Sequence, residues 1–93
     1  MLRAAYKRPE DDYFFPVMIE DDLETLQEMV DGYIEMVTVG RRLVIICNEM
    51  GRLRDMDYCC TINGTSFYGP VLICGRDGEV LDDLPLSAEY WEF

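Results

Sequence analysis

Leu43-Val44-Ile45-Ile46-Cys47 is a nearly continuous apolar run, set between the turn-forming residues Gly40-Arg41-Arg42 and the segment Asn48 to Arg52, which turns about Gly51. Such a run between turns reads as the central strand of a sheet, because a strand with one wet face alternates apolar with polar residues. The rest of the chain has to supply its neighbours. Leu2 to Lys7 reads as a short first strand. After the polar turn Arg8-Pro9-Glu10-Asp11-Asp12, Tyr13 to Ile19 reads as a second strand. Pro16 inside it has no donor, which confines it to an edge or an irregular entry. Tyr33 to Val39 is rich in β-branched residues, and Thr61-Ile62-Asn63-Gly64-Thr65 has the signature of a hairpin with a primed turn. Ser66 to Cys74 carries the last clear strand, with Gly69-Pro70 as a bulge within it, and residues 53–60 are ambiguous.

One helix is signalled clearly. Asp21 and Glu24 have the spacing of a capping box, with Asp in place of Ser or Thr. Leu23, Leu26, Val30, Tyr33 and Ile34 then follow at helical spacing, and Gly32 is placed to close the helix in a left-handed cap. The predicted helix covers residues 22–31. Ser87 is a candidate cap for a short C-terminal helix through Ala88, Glu89, Tyr90 and Trp91. Together these elements predict a single α+β domain over residues 1–93. It would be an antiparallel sheet of four to five strands packed against one main helix, with a short C-terminal helix. The expected core is Leu23, Leu26, Val30, Ile34, Val44, Ile46, Val71 and Ile73.

Nineteen acids against 8 bases give a net charge of -11. Nucleic-acid affinity rests mainly on Lys and Arg, so direct binding to a phosphate backbone is disfavoured, as is an anionic membrane. The natural partners are basic protein surfaces, including the grooves of nucleic-acid enzymes. Ten acids fall between Glu10 and Glu35, where there is no Lys or Arg. No apolar run approaches the roughly 18 residues of a membrane helix, and MLRAAYKRPEDDYFF lacks the apolar stretch of a signal peptide. A cytoplasmic location is therefore expected, with Cys47, Cys59, Cys60 and Cys74 as reduced thiols.

The segments Leu23 to Glu35, Cys47-Asn48-Glu49-Met50-Gly51-Arg52-Leu53, Ile62 to Gly75, and Leu84-Pro85-Leu86 ahead of Glu89-Tyr90-Trp91 resemble, in that order, the family called domain of unknown function 3846. The match covers about three quarters of the chain. The resemblance implies a small protein of phages, plasmids or integrated mobile elements, hence an accessory protein acting in the cytoplasm of a bacterial host. Tyr13-Phe14-Phe15-Pro16 departs from the family pattern.

Histidine is absent, which removes the commonest general base and metal ligand and forbids Ser–His or Cys–His nucleophile pairs. Lysine chemistry has one candidate, Lys7, and no P-loop or dinucleotide fingerprint is present. The four cysteines lack the Cys-x₂₋₄-Cys spacing of structural zinc sites and read as buried core thiols. Asp11-Asp12, Asp21-Asp22 and Asp82-Asp83 lack calcium-loop spacing, so no metal and no cofactor is expected. A solvated surface is the plain reading of the acids. The functional reading is a partner-binding face comprising Asp21, Asp22, Glu24, Glu28 and Asp31, with Asn48 and Glu49 presented by the adjoining turn. Asp21, Asp22 and Glu24 suit the positive end of the helix dipole, whereas Glu28 and Asp31 gain no such benefit and are better probes of function.

Three functions follow as expectations. The first is a non-enzymatic inhibitor of a host defence system, for example an anti-CRISPR protein, whose acidic surface mimics nucleic acid. The second is a small-ligand binder, such as a sponge for a nucleotide immune signal, which gains if Arg41, Arg42, Arg52 and Arg54 converge on one pocket. An enzyme is the third and the least supported.

Overall fold

The computed structural model describes residues 1–85. Within them the chain forms β1 (Leu2–Lys7), β2 (Phe15–Ile19), α1 (Leu23–Val30), β3 (Ile34–Val39), β4 (Leu43–Asn48), β5 (Tyr58–Ile62), β6 (Thr65–Tyr68), β7 (Val71–Asp77) and β8 (Val80–Asp82). A six-stranded antiparallel sheet has the order β2-β1-β7-β4-β3, with β8 also paired to β7, and β5 and β6 make a separate two-stranded sheet. β2 is an edge strand, as Pro16 requires.

This corrects the α+β expectation. The described chain is mostly antiparallel β structure with one eight-residue helix, not four to five strands on a main helix. Three local features account for the difference. Gly69, at φ 82°, and Pro70, which lacks a donor, do not make a bulge in one long strand. They divide Ser66–Cys74 between two sheets. The ambiguous stretch before Thr61 extends into β5, and the turn at Gly78 returns the chain as β8. The predicted C-terminal helix lies outside the described residues.

β4 and the first five residues of β7 are buried along both faces, which is why these stretches run nearly apolar without alternation. On one face Leu26 and Val30 of α1 pack with Leu2, Ala4, Ile19, Val44, Ile46, Leu72 and Cys74. On the other, Ala5, Ile45, Cys47, Val71 and Ile73 pack with Cys59, Cys60, Ile62 and Phe67 of the small sheet. Leu23 was expected in the core but is 57% exposed, and Ile34 is half-buried.

The helix ends also differ from expectation. The N-cap is Asp22, whose Oδ1 accepts from the Thr25 amide at 2.7 Å, one residue later than the Asp21–Glu24 box. The left-handed cap is Asp31 (φ 59°), not Gly32. Gly32 (φ 151°) is needed for another reason: a Cβ there would lie 2.7 Å from Nδ2 of Asn48. Asn63 (φ 52°) and Gly64 (φ 82°) both adopt the positive φ of the expected primed turn.

Candidate functional site

Asp21, Asp22, Glu24, Glu28, Asp31 and Glu49 are all exposed. Glu24, Glu28 and Asp31 recur at the helical spacing that stacks side chains on one face, opposite the buried Leu26 and Val30. Main-chain and side-chain hydrogen bonds from Thr25 hold the Asp22 carboxyl below its ordinary range.

Asn48 behaves otherwise. It was expected to be presented to a partner, but it is buried. Its Nδ2 donates to the carbonyls of Val30 and Asp31, both at 3.0 Å, and its Oδ1 accepts from the Met50 amide at 2.8 Å. Helix ends leave carbonyls without intrahelical partners, and Asn48 serves two of them. Nη1 of Arg54 adds a 2.8 Å bond to the same Asp31 carbonyl, and its Nη2 lies 3.9 Å from the Asp31 carboxylate. The Asn48–Arg54 turn is thus structural through Asn48 and Arg54. It faces outward through Glu49, Met50 and Leu53.

Beyond Asp31 the surface opens into a trough of about 710 Å³ whose lining includes Glu10, Asp31, Asp55 and Asp57, with no base among the lining residues. Sequence reasoning missed Asp55 and Asp57. Two main-chain hydrogen bonds shape the Asp55–Asp57 side of the trough: the Met56 amide donates to Gly51 O at 2.9 Å, and the Gly69 amide to Asp57 O at 2.8 Å. Asp55 turns the chain just ahead of both bonds at φ 56°. No local pattern signals these contacts.

Arg54 sits against Asp31 at the edge of the trough, whereas Arg41, Arg42 and Arg52 lie elsewhere. Arg41 and Arg42 share a depression of about 390 Å³ with Arg76, but Asp77, Asp82 and Asp83 line it too. Arg52 sits over the Tyr68 ring, 5.0 Å from its centroid. Arg41 and Arg42 therefore do not converge with Arg52 and Arg54, and three arginines balanced by three aspartates make no anion pocket.

All four cysteines are free and buried. Burial pushes the Cys47 thiol up to about 11 and the Cys74 thiol up to about 12. Cys59 differs, and sequence reasoning missed its neighbour. Lys7 is itself buried, and its Nζ donates to Cys59 O at 2.8 Å and lies 3.9 Å from Cys59 Sγ. Among the described residues no cluster of three or more Cys, Asp or Glu is arranged to hold a metal ion.

In the divergent N-terminal cluster, Tyr13 is exposed, Phe14 is buried, and Phe15 packs edge-on against Tyr6 with ring centroids 5.8 Å apart. The C-terminal aromatics Tyr90, Trp91 and Phe93 lie outside the described residues. No helix among the described residues is long and apolar enough to cross a membrane.

Compared with known families, residues 2–92 match the profile of the domain of unknown function DUF3846. No curated protein matches the chain, and no solved structure does.

Proposed function

The chain belongs to the DUF3846 family, and from that premise we propose that it is a non-enzymatic binding protein of a phage or other mobile element, whose acidic surface occupies the basic groove of a host defence enzyme that handles nucleic acid. The carrying observation is that Asp31 belongs to two acidic features at once. It ends the exposed helix face of Glu24 and Glu28, and it lines the trough with Glu10, Asp55 and Asp57. Asp31 therefore joins the helix face to the trough, with Arg54 beside it as a partial counter-charge at the junction.

Spacing supports the reading. From Glu24 to Asp31 the helix rises roughly 10 Å at about 1.5 Å per residue. Over that length it carries three carboxylates on one face, and a DNA strand presents about three phosphates over the same rise. An enzyme groove that binds phosphates through Lys and Arg would meet a comparable charge density here. A CRISPR nuclease is one example of such a partner. The sponge reading loses support because the arginines it requires are divided between opposite ends of β4.

Capture on immobilised protein from bacterial lysate, with bound proteins identified by mass spectrometry, tests the proposal when repeated with excess duplex DNA. The expected result is a nucleic-acid-binding protein that DNA displaces. A captured protein that DNA leaves in place contradicts mimicry.

A further inference from the structure

In a regular strand consecutive side chains point to opposite faces, so Cys59 and Cys60 should be separated by the sheet. They are not. The β5–β6 register shifts between Tyr58, opposite Tyr68, and Cys60, opposite Phe67, leaving Cys59 as the extra residue of a β-bulge. Both thiols consequently enter the same core cluster, where Cys59 is 4% and Cys60 7% exposed.

Lys7 reaches this point from β1. Besides its bonds to Cys59 O and, at 3.4 Å, Arg8 O, its nitrogen lies 3.9 Å from Cys59 Sγ, while that Sγ donates to Lys7 O at 3.4 Å. The two ion pairs among the described residues, Arg8–Asp11 and Arg54–Asp31, do not include Lys7. A buried ammonium is costly unless an anionic partner compensates it. The Asp11 carboxylate acts on it from a distance, but the Cys59 sulfur is in contact with it and can ionise.

We propose that Cys59 and Cys60 form a peroxide-reactive vicinal dithiol, with Cys59 as the attacking sulfur, Lys7 as the residue that positions and neutralises its thiolate, and Cys60 as the resolving thiol. Nothing in this proposal depends on the acidic surface. In the first step the Cys59 thiolate attacks one oxygen of hydrogen peroxide. The O–O bond breaks, the sulfur is oxidised to the sulfenic acid, and hydroxide leaves. In the second step the Cys60 sulfur attacks the Cys59 sulfur. An S–S bond forms, the S–O bond breaks, and the Cys60 proton leaves with the departing oxygen as water. Overall, two thiols and one peroxide give one disulfide and two waters.

The electrostatics distinguish the four thiols. A hydrogen bond with the Cys60 thiol, and then the charge and hydrogen bond of Lys7, lower Cys59, against opposing burial and the charge of Asp11. Cys60, Cys47 and Cys74 are all pushed up. Thiolate availability governs both alkylation and oxidation, so Cys59 is the favoured nucleophile. Access comes through local opening, since a two-stranded hairpin is marginal alone and this one has no strand pairing to the large sheet, being joined to it by side-chain packing and the Lys7–Cys59 hydrogen bonds. Adjacent Cα atoms stand about 3.8 Å apart, below the usual disulfide range, so the product is strained and readily reduced. That makes the modification reversible.

The test is limited oxidation of the folded full chain with hydrogen peroxide, followed by peptide mapping, alongside iodoacetamide labelling rates for each cysteine across pH. The expected product is a Cys59–Cys60 disulfide that dithiothreitol reverses, with Cys59 labelled fastest. In Cys60→Ser, Cys59 should stop at a sulfenic acid captured by dimedone. In Lys7→Met, Cys59 labelling should slow roughly three- to tenfold near neutral pH and its pH profile should move upward, a shift that loss of packing alone does not produce. A disulfide through Cys47, equal labelling of all four thiols, or an unchanged Cys59 profile in Lys7→Met overturns the proposal. If Lys7→Met does not fold, the wild-type labelling order and disulfide map decide it by themselves.

Discussion

The side-chain amide nitrogen of Asn48 donates to the main-chain carbonyl of Val30 across 3.0 Å, joining the last turn of the helix to the end of the central strand β4. The same amide also holds Asp31, the residue that links the helix face to the trough. Replacing Asn48 with Ala leaves the Val30 carbonyl and the Met50 amide without their side-chain partner, while the Asp31 carbonyl keeps only Arg54. Each unsatisfied buried group costs about 1–3 kcal/mol, and water reaching the vacated space recovers part of that. Asn48→Ala should therefore destabilise the fold by about 2–4 kcal/mol in urea unfolding. A loss below about 0.5 kcal/mol would show that the latch is dispensable.

Leu26 and Leu23 provide a paired test of the helix face. Leu26 is 3% exposed, whereas Leu23 is 57% exposed. Leu26→Ala should cost about 2–4 kcal/mol, and Leu23→Ala should stay within about 0.5 kcal/mol. Comparable losses at the two positions would contradict the observed helix orientation.

The local signals in the sequence were those with short range. The apolar run at Leu43, the helical spacing through Leu26 and Val30, and Asn63-Gly64 each record a backbone requirement within a few residues. Gly69-Pro70 was legible as a break but not as a transfer between sheets, because that depends on which strand β7 pairs with. The trough was illegible because Glu10 and Asp57, far apart in sequence, come to line one depression only in the folded chain. Asn48 carried a usable signal: it continues the alternation of Val44 and Ile46, which places it on the helix-facing side of β4. Reading it as a turn residue hid that role. Lys7, at the end of a strand, gave no comparable sign of the buried thiol it meets.

Stability in acid should report on the N-cap. Because Thr25 donates to the Asp22 carboxyl, the folded-state pKa is depressed. Its stabilisation is then complete above the unfolded value, about 3.9, and is lost as pH falls through the folded value. Asp22→Asn keeps a capping oxygen but cannot titrate in this range. Its stability should fall less steeply than wild type below about pH 4. Identical acid limbs for the two proteins would contradict an ionised cap.

Charge reversal on the helix should separate solvation from function. Asp31, although exposed, holds a left-handed conformation and faces Arg54, so Lys there is strained and repelled. Glu24 is near the positive end of the helix dipole. Glu28 has neither tie, so Glu28→Lys should change stability by no more than about 0.5 kcal/mol in either direction. A larger loss in thermal or urea unfolding would show that Glu28 has a structural role.

The measurement that bears most directly on the acidic surface is the salt dependence of partner capture by wild type and by Glu28→Lys. Captured partner should fall steeply for wild type between roughly 0.05 M and 0.5 M salt, as screening shortens the reach of surface charge. Glu28→Lys should capture less at the low-salt end and show a shallower dependence. Equal capture by the two proteins at every ionic strength would contradict the account and leave the helix acids as a solvated face.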